Sequence, residues 1–117
     1  MIKKHTISIK NACSGLIWAL KTQPNYKIHL VLSLVAIGGG FYYRISYQEF
    51  LVIILLITVG LVIETINTGI ESTTDAIDTR WREDIKIAKD VSAAAMLIFA
   101  LGSIVIALII FIPKIFY

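Results

Sequence analysis

A run of 22 consecutive residues without a charge, Val91 to Ile112, constrains the fold of this chain more than any other feature. A helix needs about this length to cross the hydrocarbon core of a bilayer. Two further apolar stretches precede it, Ile28 to Tyr43 and Phe50 to Ile63. Hydrophobic residues make up 57% of the 117 residues, and the mean hydropathy is +0.81. This composition excludes an ordinary small water-soluble domain. We therefore predict an all-α integral membrane protein with one domain, 1–117.

The N-terminal segment 7–22 has the pattern of an amphipathic helix. Its apolar side chains recur at helical spacing on one side, and its other side is polar and basic. A helix of this kind suits the membrane surface. Trp18 is predicted to be an interfacial anchor, and a position beside a bound nucleotide is the alternative. Pro24 disfavours helical geometry at Gln23, so the helix is expected to end there.

Three spans are predicted after this helix, at 27–44, 48–66 and 90–113, with the second continuing as a helix to 78. Basic residues gather before the first span and between the second and third (Lys3, Lys4, Lys10, Lys21, Lys27, Arg80, Arg82, Lys86 and Lys89). Only Arg44 and Lys114 fall on the opposite side. Cytoplasmic loops carry an excess of Lys and Arg, so the N-terminus and the loop 79–90 are expected to be cytoplasmic and the C-terminus outside.

The extension of the second span carries an acidic stripe. At 100° per residue, Asn67, Glu71, Asp75 and Asp78 fall at about 300°, 340°, 20° and 320° relative to Glu64. These five polar groups share a stripe roughly 80° wide. Carboxylates that lie so close repel one another and are costly near lipid, so a cation should compensate them. A divalent metal with a phosphate-bearing ligand would do so, and a solvated acidic face is the alternative.

The third span begins with Lys89 and Asp90, expected near the level of Glu71 and Asp75. Phosphoryl transfer needs a metal to neutralise phosphates, a cation to hold them and a base for the attacking hydroxyl. No Gly-rich phosphate loop is present, so side chains would have to hold a nucleotide. The alternatives are a pair of interface-anchoring charges at 89–90, a scaffolding protein, and a small cation carrier that uses Glu64 and Glu71 as ligands.

These residues carry a resemblance. The segment Glu64–Glu71, then Asp75, then Ala88-Lys89-Asp90 followed by two alanines, resembles the signature of the prokaryotic diacylglycerol kinase family. The likeness covers nearly the whole chain. It implies a homotrimer of three-span protomers in the bacterial cytoplasmic membrane, with the active site on the cytoplasmic side. It also implies transfer of the ATP γ-phosphate to a lipid hydroxyl with Mg²⁺, and no nucleic-acid partner.

The resemblance also implies roles. Glu64 matches the base for the lipid hydroxyl, and Glu71 matches a metal ligand. The positions expected at the nucleotide are Asn11, Asn67, Asp75, Trp81, Arg82, Lys89 and Asp90. Gln23 stands where the family usually has a Glu that shares the metal, so the chain is a kinase with a weaker metal site or a diverged, non-catalytic member. The undecaprenol-kinase branch is the nearer likeness, with diacylglycerol as the other candidate acceptor.

Overall fold

The computed structural model describes all residues 1–117 and contains four α-helices and no strands. They are α1 (Ile2–Thr22), α2 (Pro24–Tyr42), α3 (Tyr47–Ile77) and α4 (Glu83–Phe116). The all-α prediction is confirmed. The N-terminal helix begins at Ile2, earlier than the predicted start at residue 7. No Pro or Gly interrupts residues 2–6, and the Thr6 hydroxyl donates to the Ile2 carbonyl, so the helix continues back to that point.

A single residue separates α1 from α2. Gln23 is extended, with φ −101° and ψ 111°, and it caps the end of α1 and the start of α2. Pro24 follows as the first residue of α2, where its missing N–H is no loss and its fixed φ suits the helix. The proline thus ends α1 at the position that was predicted.

The turn between α2 and α3 is tightly packed. Ser46 caps α3, since its side chain accepts from the Glu49 N–H while the Glu49 carboxylate accepts from the Ser46 N–H. Arg44 has a φ of 53°, in the left-handed region. A Cβ on Gly40 would lie 2.8 Å from the Phe50 ring, so a larger residue here would force that ring to move.

Two of the helices, α3 and α4, are long and apolar enough to cross a membrane. They are also the pair with the most extensive mutual packing, and they run antiparallel around the short connection at 78–82. At about 1.5 Å per residue, each is longer than a bilayer core is thick. Most of their large apolar side chains are exposed, as expected of surfaces that face lipid or other helices.

The buried residues divide between the two ends of the bundle. Ile45, Ile53 and Ile110 form the apolar core near the turn between α2 and α3, with Tyr43 and Phe111 packed against it. The opposite end buries the apolar side chains of Ala19, Tyr26 and Ile85, and it alone also buries polar side chains, which are Glu64, Asn67, Thr68, Thr74 and Ser92. Buried polar groups are costly unless they are paired, so this end is the candidate site.

Candidate active site

Four of the five residues of the acidic stripe lie on one continuous helix, as predicted, because α3 runs unbroken from Tyr47 to Ile77 and ends one residue before Asp78. Its members differ in burial. Glu64 and Asn67 are buried, with exposed fractions of 2% and 5%, while Asp75 is exposed. Asp78 follows the last helical residue and pairs with Arg80. The stripe therefore runs from a buried carboxylate at the end of the apolar run to open carboxylates beyond it.

Lys89 of α4 lies against this stripe. Its Nζ is 2.5 Å from Oδ1 of Asp75, and both side chains remain partly exposed. The expected proximity of these two residues, which are far apart in sequence, is confirmed. Because the pair is open to water, it leaves the ammonium available to a phosphate.

Asn67 joins the two long helices. Its Oδ1 accepts from the Ser92 hydroxyl at 2.5 Å, and its Nδ2 donates to Oε1 of Glu71 at 3.2 Å. One amide thus fixes the position of α4 and orients a carboxylate of the stripe. The sequence reasoning missed Ser92. A small polar residue before an Ala-rich run gives no signal of its own.

His29 of α2 lies beside Glu64. Its Nε2 is 3.9 Å from Oε2 of Glu64, and the Asn25 side chain also lies beside this carboxylate. The neighbouring Tyr26 is buried and hydrogen-bonded through its hydroxyl to that of Thr65. The sequence analysis did not include His29 among the candidate site residues. An ionisable side chain inside an apolar helix is itself a signal of a functional site, and it applies here.

Several residues that the sequence assigned to the site lie outside this cluster in the single chain. The Gln23 amide donates to the Thr22 hydroxyl and forms no hydrogen bond with Glu71. Asn11 and Trp81 are exposed. The carboxylate of Asp90 accepts from Lys86, one turn away on its own helix.

The connection between α3 and α4 is a pair of small charged turns. Arg80 donates two side-chain hydrogen bonds to Asp78, and these lower the pKa of that carboxyl group below its ordinary value. Arg82 does the same for Asp84. Both acids therefore stay ionised at neutral pH and balance the arginines, so the loop presents Trp81 between two neutralised pairs.

The donor set suits phosphate and magnesium chemistry. Mg²⁺ usually binds through one or two carboxylates together with substrate phosphates and water. No three His, Cys, Asp or Glu side chains form a closed cluster, but Glu71 offers a carboxylate of which only Oε1 is hydrogen-bonded. This residue fits a magnesium ligand, and the Lys89 ammonium lies on the same side of the bundle.

Two kinds of comparison with known proteins agree. The family model described as prokaryotic diacylglycerol kinase matches residues 10–111. The chain is 35% identical over 107 residues to the undecaprenol kinase of Bacillus subtilis. This alignment covers 92% of this chain and 87% of the relative. The chain is 28% identical over 101 residues to the diacylglycerol kinase of Synechocystis sp., covering 86% of this chain but only 58% of that longer relative.

The matched segment contains α2, α3, nearly all of α4 and the polar cluster at Glu64, Asn67, Glu71, Asp75 and Lys89. The resemblance noted in the sequence is confirmed. The chain therefore belongs to the prokaryotic diacylglycerol kinase family, and it is a membrane-associated lipid kinase.

Proposed function

We propose that this protein transfers the γ-phosphoryl group of ATP to the hydroxyl of a membrane lipid, with undecaprenol as the preferred acceptor and diacylglycerol as the second candidate. The observation that carries the proposal is the order of groups along α3. Buried Glu64 ends the apolar run, and Asn67, Glu71 and Asp75 follow toward Lys89. An acceptor in the hydrocarbon layer and a nucleotide in water would meet at this point. The identity of 35% to an undecaprenol kinase supports the choice of acceptor.

The reaction assigns one role to each end of the stripe. The lipid hydroxyl oxygen attacks the γ-phosphorus of ATP, the bond from that phosphorus to the bridging oxygen breaks, and ADP leaves with the electron pair. The hydroxyl proton passes to the Glu64 carboxylate, which acts as general base. Because Glu64 lies where the apolar run ends, it can reach an alcohol whose chain stays in the hydrocarbon layer.

The nucleotide is assigned to the open end of the stripe. The ammonium of Lys89 would hold phosphate oxygens, while Asn67, Asp75 and Asp90 would orient the triphosphate. Asn11, Trp81 and Arg82 are proposed to contact the rest of the nucleotide. Glu71, helped by Gln23, would hold Mg²⁺, which supplies charge neutralisation on the phosphates when bound.

The proposed assembly is a homotrimer of three-span protomers in the bacterial cytoplasmic membrane, with the site on the cytoplasmic side. Two observations support it. Large apolar side chains remain exposed on every helix, and neither Gln23 nor Asn11 is hydrogen-bonded to Glu71 within one chain. A neighbouring copy would cover apolar surface and could complete the site. Native mass spectrometry in detergent should show a trimer, and a fully active monomer would contradict this assembly.

Transfer of radiolabel from ATP to a panel of lipids tests the function. Purified protein is incubated with Mg²⁺ and γ-labelled ATP together with undecaprenol, diacylglycerol, ceramide or no lipid. We expect labelled lipid phosphate with undecaprenol above all and none in the control without lipid. Faster labelling of diacylglycerol would reverse the choice of acceptor. Label in no lipid would contradict the kinase assignment and favour a non-catalytic protein or a cation carrier.

A further inference from the structure

We propose that Thr68 belongs to the transfer site, where its hydroxyl donates a hydrogen bond to the γ-phosphoryl group of ATP. The inference rests on the proposed kinase function and adds a residue to it. Three observations carry it. The hydroxyl is buried without a partner, it differs from the hydroxyl of every other helical threonine, and it lies on α3 between Glu64 and Glu71.

The hydroxyl of Thr68 is buried and forms no hydrogen bond within the chain. The residue is 6% exposed, and its Oγ1 has neither a donor nor an acceptor within reach. A buried hydroxyl without a partner lowers the stability of a fold. A position in a reaction site is one of the recognised reasons why a native protein keeps such a group.

The other threonines of the four helices satisfy their hydroxyls locally. Each donates to the carbonyl four residues earlier in its own helix, and these residues are Thr6, Thr22, Thr58, Thr65, Thr73 and Thr74. Helical threonines commonly form this bond. Thr68 alone does not, although α3 is continuous here and offers it the same kind of carbonyl. Its hydroxyl proton is therefore left for another group.

Thr68 lies between the two ends of the proposed reaction. Counted at 100° per residue from Glu64, it falls at about 40°, next to Asp75 at about 20°. Along the helix axis it is about 6 Å beyond Glu64 and about 4.5 Å before Glu71. The proposed base and the proposed magnesium ligand therefore flank it. The γ-phosphoryl group has to lie in this interval, because the metal holds it on one side and the lipid oxygen attacks it from the other.

Few hydrogen-bond donors at this end are free to meet a phosphate oxygen. The Ser92 hydroxyl donates to Asn67, and the Asn67 amide donates to Glu71. The carboxylates, when ionised, can only accept. The Thr68 hydroxyl is a neutral donor whose proton is unused, and it is about as well buried as Glu64. A hydrogen bond from such a hydroxyl to a charged phosphate oxygen is strong where water is excluded.

The contact fits the course of the transfer. The lipid oxygen forms its bond to the γ-phosphorus while the bond to the bridging oxygen breaks, and ADP leaves with the electron pair. The proton of the lipid hydroxyl passes to Glu64. Negative charge is spread over the three equatorial oxygens of the moving group. Thr68 keeps its own proton and donates to one of these oxygens, so it stabilises that charge without taking part in proton transfer.

Ser103 has the other buried hydroxyl without a partner, and it provides a comparison within the chain. It lines the apolar groove between α2, α3 and α4, whose lining contains no Asp, Glu, Lys or Arg. No group of the proposed reaction lies on that lining except His29 at one end. Ser103 therefore separates the effect of an unpaired buried hydroxyl from the effect of its position on the stripe.

Thr68→Val tests the inference, because it replaces the hydroxyl by a methyl group of similar size. We expect kcat/KM for ATP to fall about 10–100-fold, as for the loss of one hydrogen bond to a charged group. The unfolding temperature in detergent should stay the same or rise, since an unpaired buried hydroxyl is removed. Turnover at the wild-type rate would overturn the role. A lower unfolding temperature would also overturn it, because it would reveal a structural bond of the hydroxyl.

Binding measurements locate the contact on the nucleotide. In Thr68→Val the affinity for a non-hydrolysable ATP analogue should fall several-fold, while the affinity for ADP, which lacks the γ-phosphate, should stay unchanged. Thr68→Ser keeps the hydroxyl and should restore most of the activity. Ser103→Ala is the matched control and should bind and turn over as the wild type does.

Two outcomes of these measurements contradict the contact. Equal losses of affinity for ADP and for the ATP analogue would remove it from the γ-phosphoryl group. Equal losses in Thr68→Val and Ser103→Ala would mean that its position on the stripe has no importance. A wild-type protein that labels no lipid would instead refute the kinase proposal itself, and this inference with it.

Discussion

The two ends of the helix bundle are built differently. At the end proposed to be cytoplasmic, α3 and α4 are joined by an ion pair between Lys89 and Asp75 and by a hydrogen bond between Ser92 and Asn67. At the other end, the same helices pack through a small apolar core in which Ile53 and Ile110 are buried. The first end places charges at fixed positions. The second end tolerates substitution by other apolar side chains of similar size.

This difference has a physical reason. Lipid tails are as apolar as isoleucine, so apolar contacts alone give little preference for one helix pairing in a bilayer. Hydrogen bonds and ion pairs depend on position, and a shift of one residue breaks them. The polar end therefore defines the chemistry and, with the Lys114–Glu49 pair at the far end, the alignment of the two long helices, while the apolar core mainly fills space.

Glu64→Gln should show the largest effect. The amide cannot take the hydroxyl proton, so transfer to lipid should fall by about 10²–10⁴-fold. ATP binding should persist, because the nucleotide lies at the other end of the stripe. Isothermal titration with a non-hydrolysable ATP analogue, beside the radiolabel assay, separates the two. Transfer at the wild-type rate would refute the base assignment and remove the functional contrast between the two ends.

Lys89→Met should have the next largest effect. Removing the ammonium that faces the stripe should raise the KM for ATP or lower the rate by about 10–100-fold, as expected for a lost charged contact. Lys86→Met is the matched control. Lys86 is on the same helix and is also paired with an acid, but that partner is Asp90, one turn away. Equal losses in the two variants would mean that general surface charge, and not the position of Lys89, supports binding.

Gln23→Glu tests whether α1 contributes to the magnesium site. A carboxylate in place of the amide strengthens a Mg²⁺ site, so half-maximal activity should need several-fold less Mg²⁺. Gln48→Glu, at the opposite end of the bundle, controls for added charge. The same titration curve as the wild type would place Gln23 outside the site, and the polar end would then consist of α2, α3 and α4 alone.

Ser92→Ala should have the smallest effect. Loss of its hydrogen bond to Asn67 should destabilise the fold by about 0.5–1.5 kcal/mol, measured as a lower unfolding temperature in detergent. Ser103→Ala is the comparison on the same helix, since the Ser103 hydroxyl is buried without a partner and its removal should cost nothing. A greater loss of stability at Ser103 would contradict the view that polar contacts at one end align the helices.

The sequence predicts the features that depend on local spacing. The all-α class, the end of α1 before Pro24 and the common face of Glu64, Asn67 and Glu71 follow from proline geometry and the helical repeat, and the structure confirms them. The proximity of Lys89 to Asp75 also followed, since a short connection returns α4 along α3. The early start of α1 at Ile2 did not, because nothing in residues 2–6 favours a helix strongly.

The contacts that sequence reasoning missed join residues on different helices. His29 and Glu64 lie on α2 and α3, and Asn67 and Ser92 lie on α3 and α4. Whether such side chains meet depends on the rotation of each helix about its axis, which packing determines. The spacing of residues within one helix does not reveal this rotation. The third span, the trimer and the roles of the individual site residues stay predictions.

The contact between Lys114 and Glu49, 3.5 Å apart, gives the long helices a second charged link at the far end from Lys89 and Asp75. One inserted residue turns everything beyond it by about 100° and advances it by about 1.5 Å. An insertion in α4 between Lys89 and Lys114 therefore breaks one link or the other. Natural changes in length should accordingly collect outside the segment that these two pairs enclose, at the chain ends or in the connection at 78–82.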